Sequence, residues 1–460
     1  MIPREQRSFT PFGIAACAWI LVTSFQYGYH ISALNQIQVV LTCKVTSDDD
    51  SPLGLPNCIP MTDAQFSALT SVFSVGGLIG SAGANVVMDS RGRRGALRIS
   101  AVLTALGASL MAIASGYAPL VIGRLLIGIS AGVGICLTPI FIAEVSPARI
   151  RGKVGVFTQF SIVVGIMITQ LIGFKLAVPT AWRYVLFLSS LTAIAQFLVS
   201  PAMVESPVWA IRSGDPQSGK AYHQKLWKNC DSRSPDEDPL LAGDLDNGQE
   251  HAVSVLYALK TRELRLPLTI VSLAMVSQQI SGAVLKVFVQ SLLYYSNEIL
   301  SNVIPGLGPY ISILVTVVNV VMTFPPIFLI ERVGRKKLLT ASVFTAVAAH
   351  IFIGFGLNNG FVAMCSVAML VFIMAFASGL GPVPFIMLPE VSPPYASLAV
   401  SALSSIALSM NWVCNFIVGL SFLPLRNFLS GGEAEYEGRV FYLFGTLLLV
   451  SYLVLYRLYK

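Results

Sequence analysis

Long runs without a single charged side chain alternate with short basic clusters along this chain. A membrane-spanning helix needs about 20 mostly apolar residues, because the hydrocarbon layer is about 30 Å thick and a helix rises about 1.5 Å per residue. Charge-free runs on this scale extend from Ser8 to Cys43, Ala64 to Met88, Ile99 to Gly123, Leu125 to Ala143, Val154 to Phe174 and Tyr184 to Val204. After a charged stretch the pattern resumes from Leu266 to Leu285, Ile299 to Ile330, Leu338 to Pro389, Val391 to Leu425 and Val440 to Tyr456. The run from Leu338 to Pro389 is too long for one crossing and is broken by Leu357-Asn-Asn-Gly360, which reads as a turn. About twelve spanning helices are predicted. The first begins after Arg7, where the apolar run is too long for a cleaved leader.

Composition agrees with this reading. Of 460 residues, 55% are hydrophobic and 12% charged, whereas soluble chains carry about 25% charged residues. An all-α membrane protein is predicted rather than a soluble globule. The formal charge of +7 does not mark a nucleic-acid face, because 18 of the charged residues lie between Glu205 and Arg265 and the rest punctuate the apolar runs. The seven Cys and four His show neither C-x-x-C nor H-E-x-x-H spacing, so the sequence predicts no metal, no cofactor and no catalytic centre.

The basic clusters give the orientation. Arg91, Arg93, Arg94 and Arg98 follow the second span, Arg149, Arg151 and Lys153 the fourth, and Arg332, Arg335, Lys336 and Lys337 the eighth. Positive loops stay in the cytosol, which places both termini and the segment from Glu205 to Arg265 there. The loop from Thr42 to Thr62 then lies on the opposite side, with Asp48, Asp49 and Asp50 and with Cys43 and Cys58. A disulfide between these two suits an oxidising compartment, and the sequence leaves the pairing open.

Two motifs recur about half a chain apart. Asp89-Ser-Arg-Gly-Arg-Arg94 returns as Glu331-Arg-Val-Gly-Arg-Lys336, and Glu144-Val-Ser-Pro147 returns as Glu390-Val-Ser-Pro393. The chain therefore reads as two pseudo-symmetric bundles, residues 1–204 and 266–460, joined by cytosolic linker helices over 205–265. Duplicated bundles with Gly- or Pro-interrupted helices in matching positions mark secondary transporters that hold substrate near the midplane. Gly128, Gly132, Gly134 and Pro139 interrupt the fourth helix, and Gly379, Gly381, Pro382 and Pro384 the tenth. Close helix packing explains Gly128 and Gly132 at least as well as a loosened backbone does, whereas Gly379 to Pro384 reads as a gating hinge.

Several motifs together resemble the sugar porter (glucose transporter) family of the major facilitator superfamily, over nearly the whole chain. They are Gly123-Arg124 opening the fourth helix, Glu144 with Arg151-Gly152, Glu205-Ser-Pro207, Gln278-Gln279-Ile-Ser-Gly282, Glu331-Arg-Val-Gly-Arg335, Gly381-Pro-Val-Pro384 and Asn411-Trp412. The two-cysteine external loop and Tyr294-Tyr-Ser-Asn-Glu298 suggest a fungal member of the vacuolar-sorting-associated branch. The resemblance implies a sugar site lined by Gln159, Gln278, Gln279, Asn319, Asn411 and Asn415, with Phe376, Phe385 and Trp412 as apolar faces. Amides suit a neutral polyhydroxylated ligand, since they donate and accept without bringing charge into a low-dielectric cavity. An interhelical hydrogen bond is the plain alternative for each of them.

The cytosolic charges read as a latch, with Arg91, Arg93 or Arg94 pairing with Glu144 and Glu205, and Glu331, Arg335 and Glu390 serving the second half. Arg151 follows Glu144 by seven residues, whereas Ser397 takes that place after Glu390, so the second latch is expected to be the weaker. His30 stands where proton-coupled relatives carry Asp. Beside Arg124 it is expected to stay neutral, which predicts facilitated diffusion. Departures from the family pattern are the run from Ala283 to Ser291, which puts Lys286 in a spanning helix, Ala377 in place of Glu, and Phe385 in place of Trp. The reading is a hexose carrier working by alternating access in the plasma or vacuolar membrane, with a small sugar and the bilayer as its partners. The alternatives are a proton-coupled sugar or polyol symporter, and a non-transporting sugar receptor or trafficking protein of the same fold.

Overall fold

Helix α1 (Pro11–Leu41) begins where Thr10 caps it, the hydroxyl accepting the Gly13 N–H at 3.0 Å with Pro11 in the first turn. A capping box between Thr62 and Gln65 starts α2 (Asp63–Ala112). The chain continues through α3 (Tyr117–Val145), α4 (Arg151–Leu176), α5 (Trp182–Val199) and two short linker helices, α6 (Pro207–Arg212) and α7 (Pro216–Leu226). After α8 (Val255–Lys260) come α9 at 265–281, α10 (Gly308–Met322), α11 (Phe324–Val333), α12 (Arg335–Asn358) and α13 (Val362–Ala375). A π turn at Phe376–Leu380 leads into α14 (Pro382–Glu390), and α15 (Val400–Ser430) and α16 (Arg439–Leu458) complete the set.

This computed structural model describes residues 9–45, 54–147, 150–228, 255–281, 308–391, 399–431 and 433–459. Asp48 to Asp50, Arg149, the run from Ala283 to Ser291 with Lys286, the run from Tyr294 to Glu298, and Ser397 lie outside the described residues. Apart from an isolated bridge between Phe9 and Trp227, the regular elements among the described residues are helical. Nine helices among those residues are long and apolar enough to cross a membrane. Large apolar side chains such as Val86, Leu198 and Phe328 are more than 60% exposed, a surface suited to lipid rather than water.

One expectation is corrected. Reading Arg124 as a helix boundary ran the third span on to Gly123, but the turn falls at 113–116 and α3 starts at Tyr117. Arg124 lies inside that helix, 3% exposed. It stays there because its guanidinium donates to the His30 carbonyl at 2.9 Å and covers the Phe73 ring at 4.3 Å.

By packing, the chain divides into two units. One comprises Met1–Leu268 with Ile386–Ser409, and the other Thr269–Phe385 with Met410–Lys460. In the first, α2 lies along α3 and α5, and α1 along α4. Gly128 and Gly132 serve this packing, since a Cβ on either would meet the Phe73 or Gly77 carbonyl at 2.5 and 2.2 Å. In the second, α12 packs on α13 and α16, around a core that includes Ile353, Met369, Phe422, Phe441 and Phe444.

Candidate functional site

The second unit holds a chain of amides. Asn415 Nδ2 donates to Gln279 Oε1 at 2.9 Å, Gln279 Nε2 to Asn411 Oδ1 at 2.9 Å, and Asn411 Nδ2 to Gln278 Oε1 at 3.2 Å. Gln278 Nε2 then donates to the carbonyls of Leu380 and Gly381 at 3.1 and 2.9 Å. Helices α9 and α15 thus present four neutral side chains in one head-to-tail relay, in which each bond polarises the next. Each primary amide has two N–H donors and two lone pairs, so the relay leaves capacity for a hydroxylated ligand. Trp412 and Phe385, 3% and 5% exposed, and the half-buried Phe376 at the start of the π turn are the aromatic residues of this unit that the resemblance singled out. Asn319 lies on α10, and its Oδ1 has no hydrogen-bond partner among the described residues.

Gln159 belongs to the first unit, buried on α4. Other amides of that unit hold helices together. Gln196 and Trp19 exchange bonds at 3.0 and 2.9 Å, and Gln26 donates to the Ser189 carbonyl at 2.9 Å. His30 lies 2.7 Å from the Ser189 hydroxyl, which donates to Gln26 Oε1 at 2.8 Å. A small polar cavity beside His30 is lined by Thr23, Gln26, Ser100, Thr104, Ser130 and Gln196 among others, with no carboxylate.

At the cytosolic end predicted for the first unit, the chain must turn sharply between spans, and Gly92 permits it with φ 73° and ψ 178°, a region open essentially to Gly alone. The turn aims Arg93 inward, where its Nε and Nη2 reach the two Glu144 oxygens at 2.9 and 2.7 Å. Arg93 is 2% exposed and Glu144 7%, so the fork is buried and bidentate. Of the three arginines offered by the sequence, Arg93 is the one whose side chain meets Glu144. Arg91 is exposed, and Arg94 Nη1 donates to the Met203 carbonyl at 2.9 Å.

Glu205 is tied to the backbone instead, accepting the N–H of Arg93, Arg94 and Ser206 at 2.8, 3.0 and 2.8 Å. Burial pushes its carboxyl above the usual carboxylate range, while these amides and the Arg93 charge oppose the shift. Arg151 Nε donates to the Ala143 carbonyl at 2.9 Å.

In the second unit the repeated motif pairs locally. Arg335 reaches Glu331, four residues back, at 3.0 and 3.2 Å, with both side chains about a quarter exposed. Glu390, half-buried at the end of α14, packs with the first unit instead. On the other face of the first unit, Cys43 and Cys58 form a disulfide.

Several residues of consequence carried no sequence signal. Arg183 ties the segment before α2 to the end of that helix, donating to the carbonyls of Ala112, Ala114 and Pro56 at 2.7 to 2.8 Å. Two linker tryptophans hold helix ends, Trp209 on the Asp89 carbonyl at 3.2 Å and Trp227 on the Val145 carbonyl at 2.8 Å. Ser401 donates to the Asp89 carboxylate at 3.0 Å.

The chain matches the family of sugar (and other) transporters over residues 16–460. It is 31% identical to vacuolar protein sorting-associated protein 73 of Saccharomyces cerevisiae, over 91% of this chain and 89% of that protein. It is 30% identical to facilitated glucose transporter member 3 of solute carrier family 2 from Ovis aries, over 91% and 85% respectively. Its fold is similar to that of the proton:xylose symporter XylE bound to 6-bromo-6-deoxy-D-glucose, with a TM-score of 0.77 at 19% identity and coverage of 97% and 95%. This protein therefore belongs to the sugar transporter family, an integral membrane protein with the major facilitator fold.

Proposed function

We propose that the protein carries a hexose across its membrane by facilitated diffusion, with residues 1–204 and 266–460 alternating about a central site and 205–265 linking them. The observation that carries this reading is the relay of Asn415, Gln279, Asn411 and Gln278, four uncharged groups that match a ligand of many hydroxyls. Gln159, Asn319, Phe376, Phe385 and Trp412 complete the proposed lining. The glucose transporter relative supports a hexose over other solutes. Uniport is supported by the setting of His30, whose ring meets a neutral hydroxyl beside a cavity without a carboxylate among the described residues. The proposed latch comprises Arg93, Glu144 and Glu205 in the first half and Glu331, Arg335 and Glu390 in the second.

Both termini are assigned to the cytosol from the basic loops, and a disulfide in the loop on the opposite side fits an oxidising compartment. The plasma membrane and the vacuolar membrane are the two candidate homes.

The test is uptake of radiolabelled glucose, fructose and inositol into proteoliposomes. Glucose uptake that collapses in Gln278→Ala, with no pH change outside, is the expected result. External alkalinisation that accompanies sugar entry and disappears in His30→Asn would make the protein a proton symporter. Absence of uptake and of sugar binding would leave a trafficking role, the reading favoured by the vacuolar sorting relative.

A further inference from the structure

The π turn of the tenth span is held from outside its own helix. In a regular helix the Ala375 carbonyl accepts the N–H of Gly379, and in a wider turn that of Leu380. Here the Ser342 hydroxyl of α12 bridges the wider pair from outside, donating to the Ala375 carbonyl at 2.6 Å and accepting the Leu380 N–H at 2.9 Å. The next bond is also wide, from the Gly381 N–H to the Phe376 carbonyl at 2.7 Å. Gly379 makes this approach possible, since a Cβ there would lie 2.5 Å from the Ser342 Cβ and 2.8 Å from the Leu338 carbonyl. Farther along, Pro384 has no N–H to give the Leu380 carbonyl, and Gln278 supplies the missing donor at 3.1 Å. Ser342 and Gln278 are 2% and 5% exposed, so water does not readily replace either. π turns and prolines are recognised causes of helix kinks, and this span has both within ten residues.

We infer that Ser342 is a positioning residue that holds this hinge, and that Gln278 couples it to the ligand site. A hydroxylated ligand that takes the Gln278 amide N–H withdraws the donor from the Leu380 and Gly381 carbonyls. A buried carbonyl without a donor is unfavourable, so the span changes its bend when the ligand arrives. The coupling rests on the sugar reading above, whereas the role of Ser342 does not.

Hydrogen exchange of the purified full-length protein, read over 376–390 with and without glucose, separates the two. Ser342→Ala is expected to speed exchange there about tenfold by opening the turn, while Ser342→Thr, which keeps the hydroxyl, stays within about twofold. In proteoliposomes Ser342→Ala lowers Vmax severalfold with glucose Kd unchanged, and Thr restores it. Pro384→Ala gives the Leu380 carbonyl a backbone donor and frees Gln278, so glucose binds more tightly while Vmax falls. Equal exchange in the Ala variant and wild type, or equal effects of Ala and Thr, would overturn the role of Ser342. Glucose that binds the wild type without speeding exchange over 376–381 would overturn the coupling. A wild type that binds no sugar removes both the transport reading and the coupling, and the Ala and Thr exchange rates still decide on Ser342.

Discussion

The same motif occurs in both units and is used in two ways. Asp89 to Arg94 and Glu331 to Lys336 each turn on a glycine of positive φ, Gly92 at 73° and Gly334 at 89°. After Gly92 the arginine points inward, keeps its local partner Asp89 at 3.6 Å, also forks onto a carboxylate 51 residues away and is almost completely buried. After Gly334 it folds back onto Glu331 in its own helical neighbourhood and keeps contact with solvent. A motif therefore specifies a turn and a cation, while burial decides what the cation is worth. A buried guanidinium deprived of its bidentate partner costs about 3 to 5 kcal/mol, whereas a partly exposed pair four residues apart contributes about 0.3 to 0.5 kcal/mol.

The sharpest way to break this contrast is to remove the carboxylates in turn. Glu144→Ala is expected to destabilise the protein by about 3 to 5 kcal/mol, and Glu331→Ala by less than about 1 kcal/mol, as read from unfolding in detergent. Similar losses in the two variants would show that the first fork is no stronger than the second.

Next in size are the glycines. Alanine at either position is strained by about 1 to 3 kcal/mol, but the Gly92→Ala methyl would also stand 2.5 Å from Glu205 Oε2, whereas at Gly334 nothing among the described residues lies within 4 Å. Gly92→Ala should therefore lower the unfolding temperature further than Gly334→Ala, and the reverse order would remove Glu205 from the turn.

The smallest effect concerns pH. Burial raises the Glu205 carboxyl above its ordinary value, so the folded protein holds this proton more firmly than the unfolded chain does. That contribution to stability is complete below the ordinary carboxylate pKa and is lost as pH rises through the folded value. Relative to Glu205→Gln, wild type should lose stability as the buffer is taken upward from the ordinary carboxylate range. A flat difference across that range would show that the three backbone amides fully offset the burial.

Much of this was legible in the linear pattern. Charge-free runs located the apolar helices because lipid tolerates few charges, and the recurrence of Glu144-Val-Ser-Pro147 at Glu390 is a repeat read directly from the sequence. Where the same rule failed, at Arg124, the failure was physical. A charge marks a helix end only if nothing inside can satisfy it, and here a carbonyl and an aromatic ring do. The amides Gln278, Gln279, Asn411 and Asn415 were singled out by type and by family resemblance, yet that they bond to one another in this order depends on which helix faces are adjacent. Ser342, Arg183, Trp209 and Trp227 were invisible, since each acts on backbone carbonyls or amides that any sequence supplies.

Those indoles have an optical consequence. The protein has five tryptophans, and four of them, Trp19, Trp182, Trp209 and Trp227, donate their ring N–H to main-chain oxygens of the first unit. Their emission is anchored to that scaffold. Trp412 instead sits next to Asn411 in the second unit, so a change in intrinsic fluorescence on mixing with a solute has a natural local source there, one that a single Trp412→Phe replacement would silence.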